Sequence, residues 1–137
     1  ITLQPGEGAL ARMSLPFKLG IGGRIGDGQQ WWSWISIRDA LRAFEHLIDT
    51  EVVGPMNVVA PNPVTNEQFT KAFGAVLKRP TVIPVPKLAL NVLLGSELAE
   101  SVGYGSTRAS AQKLLDSGFT FTSETVDEAL REAFDRT

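Results

Sequence analysis

The sequence predicts an α/β fold, and three observations predict it. Apolar residues recur at helical spacing in three well-capped segments. Shorter apolar runs, bounded by glycine and proline, lie between them and read as strands. Helix-type and strand-type segments alternate along the chain, which argues against all-α and all-β arrangements.

The elements follow in order. Ile1 to Gln4 reads as a strand, and Pro5-Gly6-Glu7-Gly8 as the turn after it. Ala9 to Leu15 is a short helix that Pro16 ends. Gly20 to Gly28 is a glycine-rich loop, and Trp31-Trp32-Ser33-Trp34-Ile35 alternates as a strand does. Ser36 and Asp39 form a capping box for a helix with Leu41, Phe44, Leu47 and Ile48 on one face. His46 falls on another side, with Arg42, Glu45 and Asp49, and reads as a solvated surface histidine.

Met56 to Ala60, between Gly54-Pro55 and Pro61, has the pattern of a buried strand. Thr65 and Gln68 cap the second strong helix, stapled by Val64 and Phe69, with Phe69, Ala72, Phe73, Val76 and Leu77 as its core stripe. Lys78, Arg79 and Pro80 stop it. Thr81 to Val85 is a shorter strand, Leu88 to Leu94 a helix, and Thr107 to Ser117 a helix closed by Gly118. Phe119 to Thr122 alternates as a brief edge strand. Thr125 and Glu128 cap the last helix, whose stripe is Val126, Ala129, Leu130, Ala133 and Phe134.

Composition narrows the function. With 137 residues, 43% hydrophobic and 20% charged, the chain is long enough for one core of its own. A formal net charge of −2 argues against nucleic acid as a partner, because phosphate neutralisation needs a basic excess. No stretch approaches a membrane span, so no membrane partner is expected. The absence of cysteine rules out disulfides and a thiol nucleophile, and it suits a cytoplasmic protein. One histidine, with scattered carboxylates, supports neither a Ser/His/Asp triad nor a metal site. The chain opens Ile1-Thr2-Leu3-Gln4 without an initiator methionine and is expected to be part of a longer protein.

Gly20, Gly23 and Gly26 are spaced as in a dinucleotide-binding fingerprint, but the strand–turn–helix context is missing. The loop therefore reads as mobile or ligand-facing. Three tryptophans within four positions are costly to leave wet, and alternation places Trp32 and Trp34 on one face with Trp31 opposite. They either close the core or line a pocket, with Arg24, Gln30 and Ser33 supplying polar contacts. Asn62, held between Pro61 and Pro63, lies in a rigid turn of the kind that places ligands in α/β folds. Arg108 could clamp an anion at the start of a helix.

Gly28-Gln29-Gln30-Trp31-Trp32-Ser33-Trp34-Ile35-Ser36-Ile37-Arg38-Asp39, with Gly54-Pro55-Met56-Asn57-Val58-Val59-Ala60-Pro61-Asn62-Pro63-Val64-Thr65-Asn66, Arg79-Pro80 and Val85-Pro86, resembles the C-terminal part of a known family. The family is that of atypical, extended short-chain dehydrogenase/reductases labelled nucleoside-diphosphate-sugar epimerases, some of whose members are called cell-division inhibitors. The resemblance implies a C-terminal fragment of a Rossmann-type α/β enzyme: the last sheet strands, glycine loop and helix in 1–63, and a small helical substrate lobe in 64–137. It implies NAD or NADP in the parent, a small-molecule substrate, and isomerase or oxidoreductase chemistry. Neither the cofactor glycine motif nor Tyr-x-x-x-Lys is in this chain; Tyr104 is followed four residues later by Arg108. The chain alone is therefore expected to hold no catalytic residue and to bind no cofactor.

The expected substrate-binding residues are Arg24, Gln30, Trp32, Ser33, Trp34, Asn62 and Arg108. Where sugar-nucleotide epimerases have Arg-Asp-Tyr-Ile-His-Val, this chain has Trp32-Ser33-Trp34-Ile35-Ser36-Ile37, and Trp32 cannot replace a bidentate cation. The alternative is a non-catalytic Rossmann-like module that binds a partner protein. A sheet cut before its last strands leaves an open edge, so self-association of the isolated chain is also expected.

Overall fold

The described residues include two short strand pairs and five helices. The computed structural model describes residues 2–4, 6, 8–50, 54–85, 91–92, 95–97 and 108–134. Strand β1 (Thr2–Leu3) runs parallel to β3 (Ile35–Ser36), with Thr2 opposite Ile35. Strand β2 (Trp31–Trp32) runs antiparallel to β4 (Val64–Thr65), with Trp31 opposite Thr65. The tryptophan block is thus two strands, not one. At Ser33-Trp34 the chain leaves one pair and enters the other.

The helices are α1 (Gly8–Lys18), α2 (Ile37–Ile48), α3 (Asn66–Leu77), α4 (Gln112–Asp116) and α5 (Val126–Phe134). The core centres on α3 packed against α5, with α1 on another side of α3. Phe73 is its hub, with ring centroids 4.6 Å from Phe17, 5.7 Å from Phe69 and 5.4 Å from Phe134. Trp32 meets Phe69 edge-on at 5.0 Å. These contacts use the stripes read from the sequence, because α3 and α5 each bury one apolar face against the other.

The caps also match their sequence. Thr65 Oγ1 accepts from the Gln68 N–H while Gln68 Oε1 accepts from the Thr65 N–H, which is a complete capping box. Thr125 Oγ1 accepts from the Glu128 N–H at 3.3 Å. Helix α3 ends at Lys78 in the left-handed region (φ 57°), with the Arg79 N–H returning to Gly74 O. Helix α4 ends before Gly118, whose φ of 94° suits a residue without Cβ.

Several expectations need correction. Pro16 does not end α1, which runs to Lys18. The helix gives up the bond a Pro16 N–H would make, and the buried Phe17, its ring tilted against Phe73, keeps the last turn in place. Met56 to Ala60 is not a strand among the described residues; its ladder is a single bond, from the Ala60 N–H to Trp34 O at 2.8 Å. Thr81 to Val85 forms only an isolated parallel bridge between Val85 and Ile25. Phe119 to Thr122 keeps the alternating burial of a strand but, among the described residues, pairs with no strand. Among the described residues the helix expected over 107–117 is only α4; ahead of it the Ala109 N–H bonds Ser33 Oγ at 2.8 Å. The helix expected over 88–94 lies outside the described residues except for helical 91–92.

The largest difference concerns α2. The helix forms where expected and Leu47 packs half-buried against the core, but Leu41, Phe44 and Ile48 are exposed, and Asp39, Ala40 and Ala43 are buried instead. Periodicity sets the helix and its two faces; only the neighbours decide which face is covered.

Candidate functional site

The glycine loop is packed from both sides. A Cβ on Gly22 would stand 2.6 Å from the Phe17 ring, and one on Gly23 would stand 1.9 Å from the carbonyl oxygen of Ile83. Below the loop, Asn66 Oδ1 accepts from the Ile25 N–H at 2.6 Å. The first α3 amides are also taken: Asn66 N–H by Gln30 O and Glu67 N–H by Gly28 O, both at 2.9 Å. A pyrophosphate would need those amides and that space. The loop does not fit a dinucleotide; Gly22 and Gly23 serve close packing, whereas Gly20 and Gly26 take positive φ values of 79° and 60°. Arg24 Nε donates to Gly26 O and Gln30 Nε2 to Ile25 O, each at 3.3 Å, so both side chains brace the loop.

Gly23→Ala should lower stability by about 1–3 kcal/mol, the usual cost of overpacking, because Ile83 meets the new methyl with backbone. A urea midpoint equal to that of the wild type would contradict this packing. Asn66 had no signal in the sequence beyond its place at a helix start. Its amide reaches a residue 41 positions away.

The remaining candidates converge elsewhere, around the β2–β3 junction. Trp32 and Trp34 are core side chains, and the Trp34 indole N–H donates to Asn62 O at 2.8 Å. Asn62 Nδ2 donates to Glu124 O at 2.8 Å, tying the Pro61–Pro63 turn to the start of α5. Ser33 Oγ holds the Ala109 N–H, which fixes the neighbouring Arg108. The Arg108 guanidinium lies 4.4 Å over the ring of Trp31, the tryptophan on the opposite face. Arg108 also borders a cavity of about 250 Å³ with Pro61, Pro63, Ser110 and Gln112. No carboxylate lines that cavity among the described residues, and Arg108 is in no ion pair among them. A larger groove of about 550 Å³ runs between α3 and α5, past Gln68, Lys71 and Asp127.

A polar lock joins α2 to the segment before α5. Asp39 is fully buried and accepts from the Thr122 and Ser123 N–H groups, the Thr122 hydroxyl and Arg42 Nη1. Burial pushes its carboxyl up, but the hydrogen bonds of Thr122, Ser123 and Arg42 outweigh this and hold it below the ordinary carboxylate range. Asp39 is therefore only half of a capping box: its N–H donates to Ser36 Oγ, but its carboxylate is spent on Thr122 and Ser123. Nor is His46 simply solvated. It is half-buried, with Nε2 2.9 Å from Ser117 Oγ and its ring 5.6 Å from Phe119. Among the described residues no group of three His, Cys, Asp or Glu could hold a metal, and no helix is long and apolar enough to cross a membrane.

This arrangement has close counterparts. Residues 85–133 match a domain of unknown function, DUF1731. An epimerase family protein of Mycobacterium bovis is 39% identical over 137 residues, 99% of this chain and 45% of its own. The crystal structure of human epimerase family protein SDR39U1 (isoform 2) with NADPH superposes with a TM-score of 0.89 at 33% identity, over all of this chain and 46% of that one.

The chain is homologous to the C-terminal part of epimerase-family proteins. A nucleoside-diphosphate sugar epimerase of Corynebacterium glutamicum superposes with a TM-score of 0.71 at 28% identity, over 98% of this chain and 24% of its own. The α/β architecture thus matches a portion of the epimerase-family fold, and the chain spans less than half the length of these relatives.

Proposed function

We propose that the chain is the substrate-side part of a cytoplasmic, NAD(P)-dependent epimerase- or reductase-like enzyme. The supporting observation is the Trp31–Arg108 pair beside a cavity whose described lining residues include no carboxylate. Its cation suits a small anionic substrate, to which the guanidinium can donate a forked pair of hydrogen bonds. The similarity to an NADPH-bound human relative supports a nicotinamide partner in the whole enzyme. The close packing of Gly22 and Gly23 leaves no room for a pyrophosphate at that loop, which supports a reading in which this chain binds and orients substrate.

The test is a titration of the chain with inorganic pyrophosphate, followed by NMR at the Trp31 indole and Arg108 guanidinium. Binding should perturb both signals. Arg108→Gln should weaken it about ten- to a hundredfold, since a hydrogen bond to a charged group contributes about 1.5–3 kcal/mol. Binding that ignores the substitution, or none at millimolar pyrophosphate, would sink the proposal.

A further inference from the structure

One edge of the fold sets bare aliphatic side chains beside unopposed positive charge. Leu15, Leu19, Ile21, Val82 and Ile83 are 52% to 84% exposed. Backbone bonds bring them together. The Leu19 N–H returns to Leu15 O at 3.1 Å and the Ile21 N–H to Pro16 O at 3.0 Å, so the chain turns tightly beyond α1. Arg79 Nε donates to Lys18 O at 2.9 Å and the Val85 N–H to Arg24 O at 2.8 Å, which holds 79–85 alongside 18–24. Residues 9–26 and 72–85 carry five cations and no carboxylate, although the whole chain has a formal charge of −2. Of these cations, Lys18, Lys78 and Arg79 are exposed and, among the described residues, in no ion pair.

The possible occupants differ in what they require. A second copy would face cations with cations, since a two-fold contact presents the same patch from both sides. A folded partner needs roughly 800 Å² on each side with a matching shape, and neither of the two cavities is lined by the aliphatic residues of this edge. An anionic bilayer needs no matching shape. Its phosphates oppose the cations and its acyl boundary receives the aliphatic tips. No helix among the described residues is long and apolar enough to cross a membrane, but binding at the surface requires none. We infer that this edge docks on the surface of a membrane rich in anionic phospholipid. Leu19, Ile21, Val82 and Ile83 enter the acyl boundary, and Lys18, Lys78 and Arg79 meet the headgroup phosphates.

The test is co-sedimentation of the chain with vesicles at about 0.1 M salt. Vesicles of equal parts phosphatidylcholine and phosphatidylglycerol should carry the chain down, and phosphatidylcholine alone should leave it in solution. Binding should collapse at about 1 M salt, where the screening length is only about 3 Å. Val82→Glu removes an exposed apolar side chain and adds a repelled charge, so it should weaken partitioning at least tenfold. The pair Lys18→Gln and Lys78→Gln should weaken it about thirtyfold, each lysine near such a surface being worth about fivefold. No sedimentation with the mixed vesicles, or sedimentation that these substitutions leave unchanged, would overturn the inference. Tighter binding to polyglutamate than to the mixed vesicles would overturn it in favour of an acidic protein partner. A doubled light-scattering mass that Val82→Glu abolishes would do so in favour of a second copy.

Discussion

Asp39→Ala should lower the unfolding free energy by about 3–5 kcal/mol, the cost of removing one partner from a buried charged network. The carboxylate accepts from two backbone amides, a hydroxyl and a guanidinium, and alanine leaves all four without it. Asp39→Asn keeps the volume but removes the charge, so it should fall between alanine and the wild type. The pH dependence has a definite sign. A carboxyl held below its unfolded value contributes stability that is fully present above about pH 4 and is lost as pH falls through the folded value. Denaturant midpoints measured from pH 7 to 3 should therefore drop more steeply for the wild type than for Asp39→Asn. Parallel curves would show that another carboxylate governs acid unfolding.

Phe73→Ala should cost a similar amount, about 3–5 kcal/mol. The side chain is fully buried and touches aromatic rings from α1, α3 and α5 at once. Those three helices are anchored by their own packing, so the cavity left behind collapses poorly. Phe44→Ala is the control of equal chemistry, because the same deletion on the exposed face of α2 should change stability by less than about 0.5 kcal/mol in the isolated chain. Equal losses for the two substitutions, read by calorimetry, would mean that the face of α2 is covered after all.

The sites were legible only in part. Ser33, Trp34, Asn62 and Arg108 come together around the β2–β3 junction, whereas Arg24 and Gln30 brace the glycine loop. Nothing in residues 20–28 distinguishes a loop that receives a phosphate from one that receives the backbone of Ile83. The distinction lies some sixty residues away. Asn66 and Asp39 were invisible as long-range ties for the same reason. Each occupies a helix start, where a polar residue already has a local explanation.

The sequence by itself determined what is local: the α/β class, helices α2, α3 and α5, the caps at Thr65 and Thr125, and the core stripe of Phe69, Ala72 and Phe73. Periodicity and capping act over about one turn and are written in neighbouring residues. Tertiary structure decided everything that needs a partner. It split the tryptophan block between two sheets, carried α1 past Pro16 and filled the glycine loop with protein. Among the described residues it also left Leu41, Phe44 and Ile48 of α2 exposed and gave 56–60 one backbone bond in place of a strand pairing. A strand has no stable form without another beside it, and an apolar stripe is buried only where something lies against it.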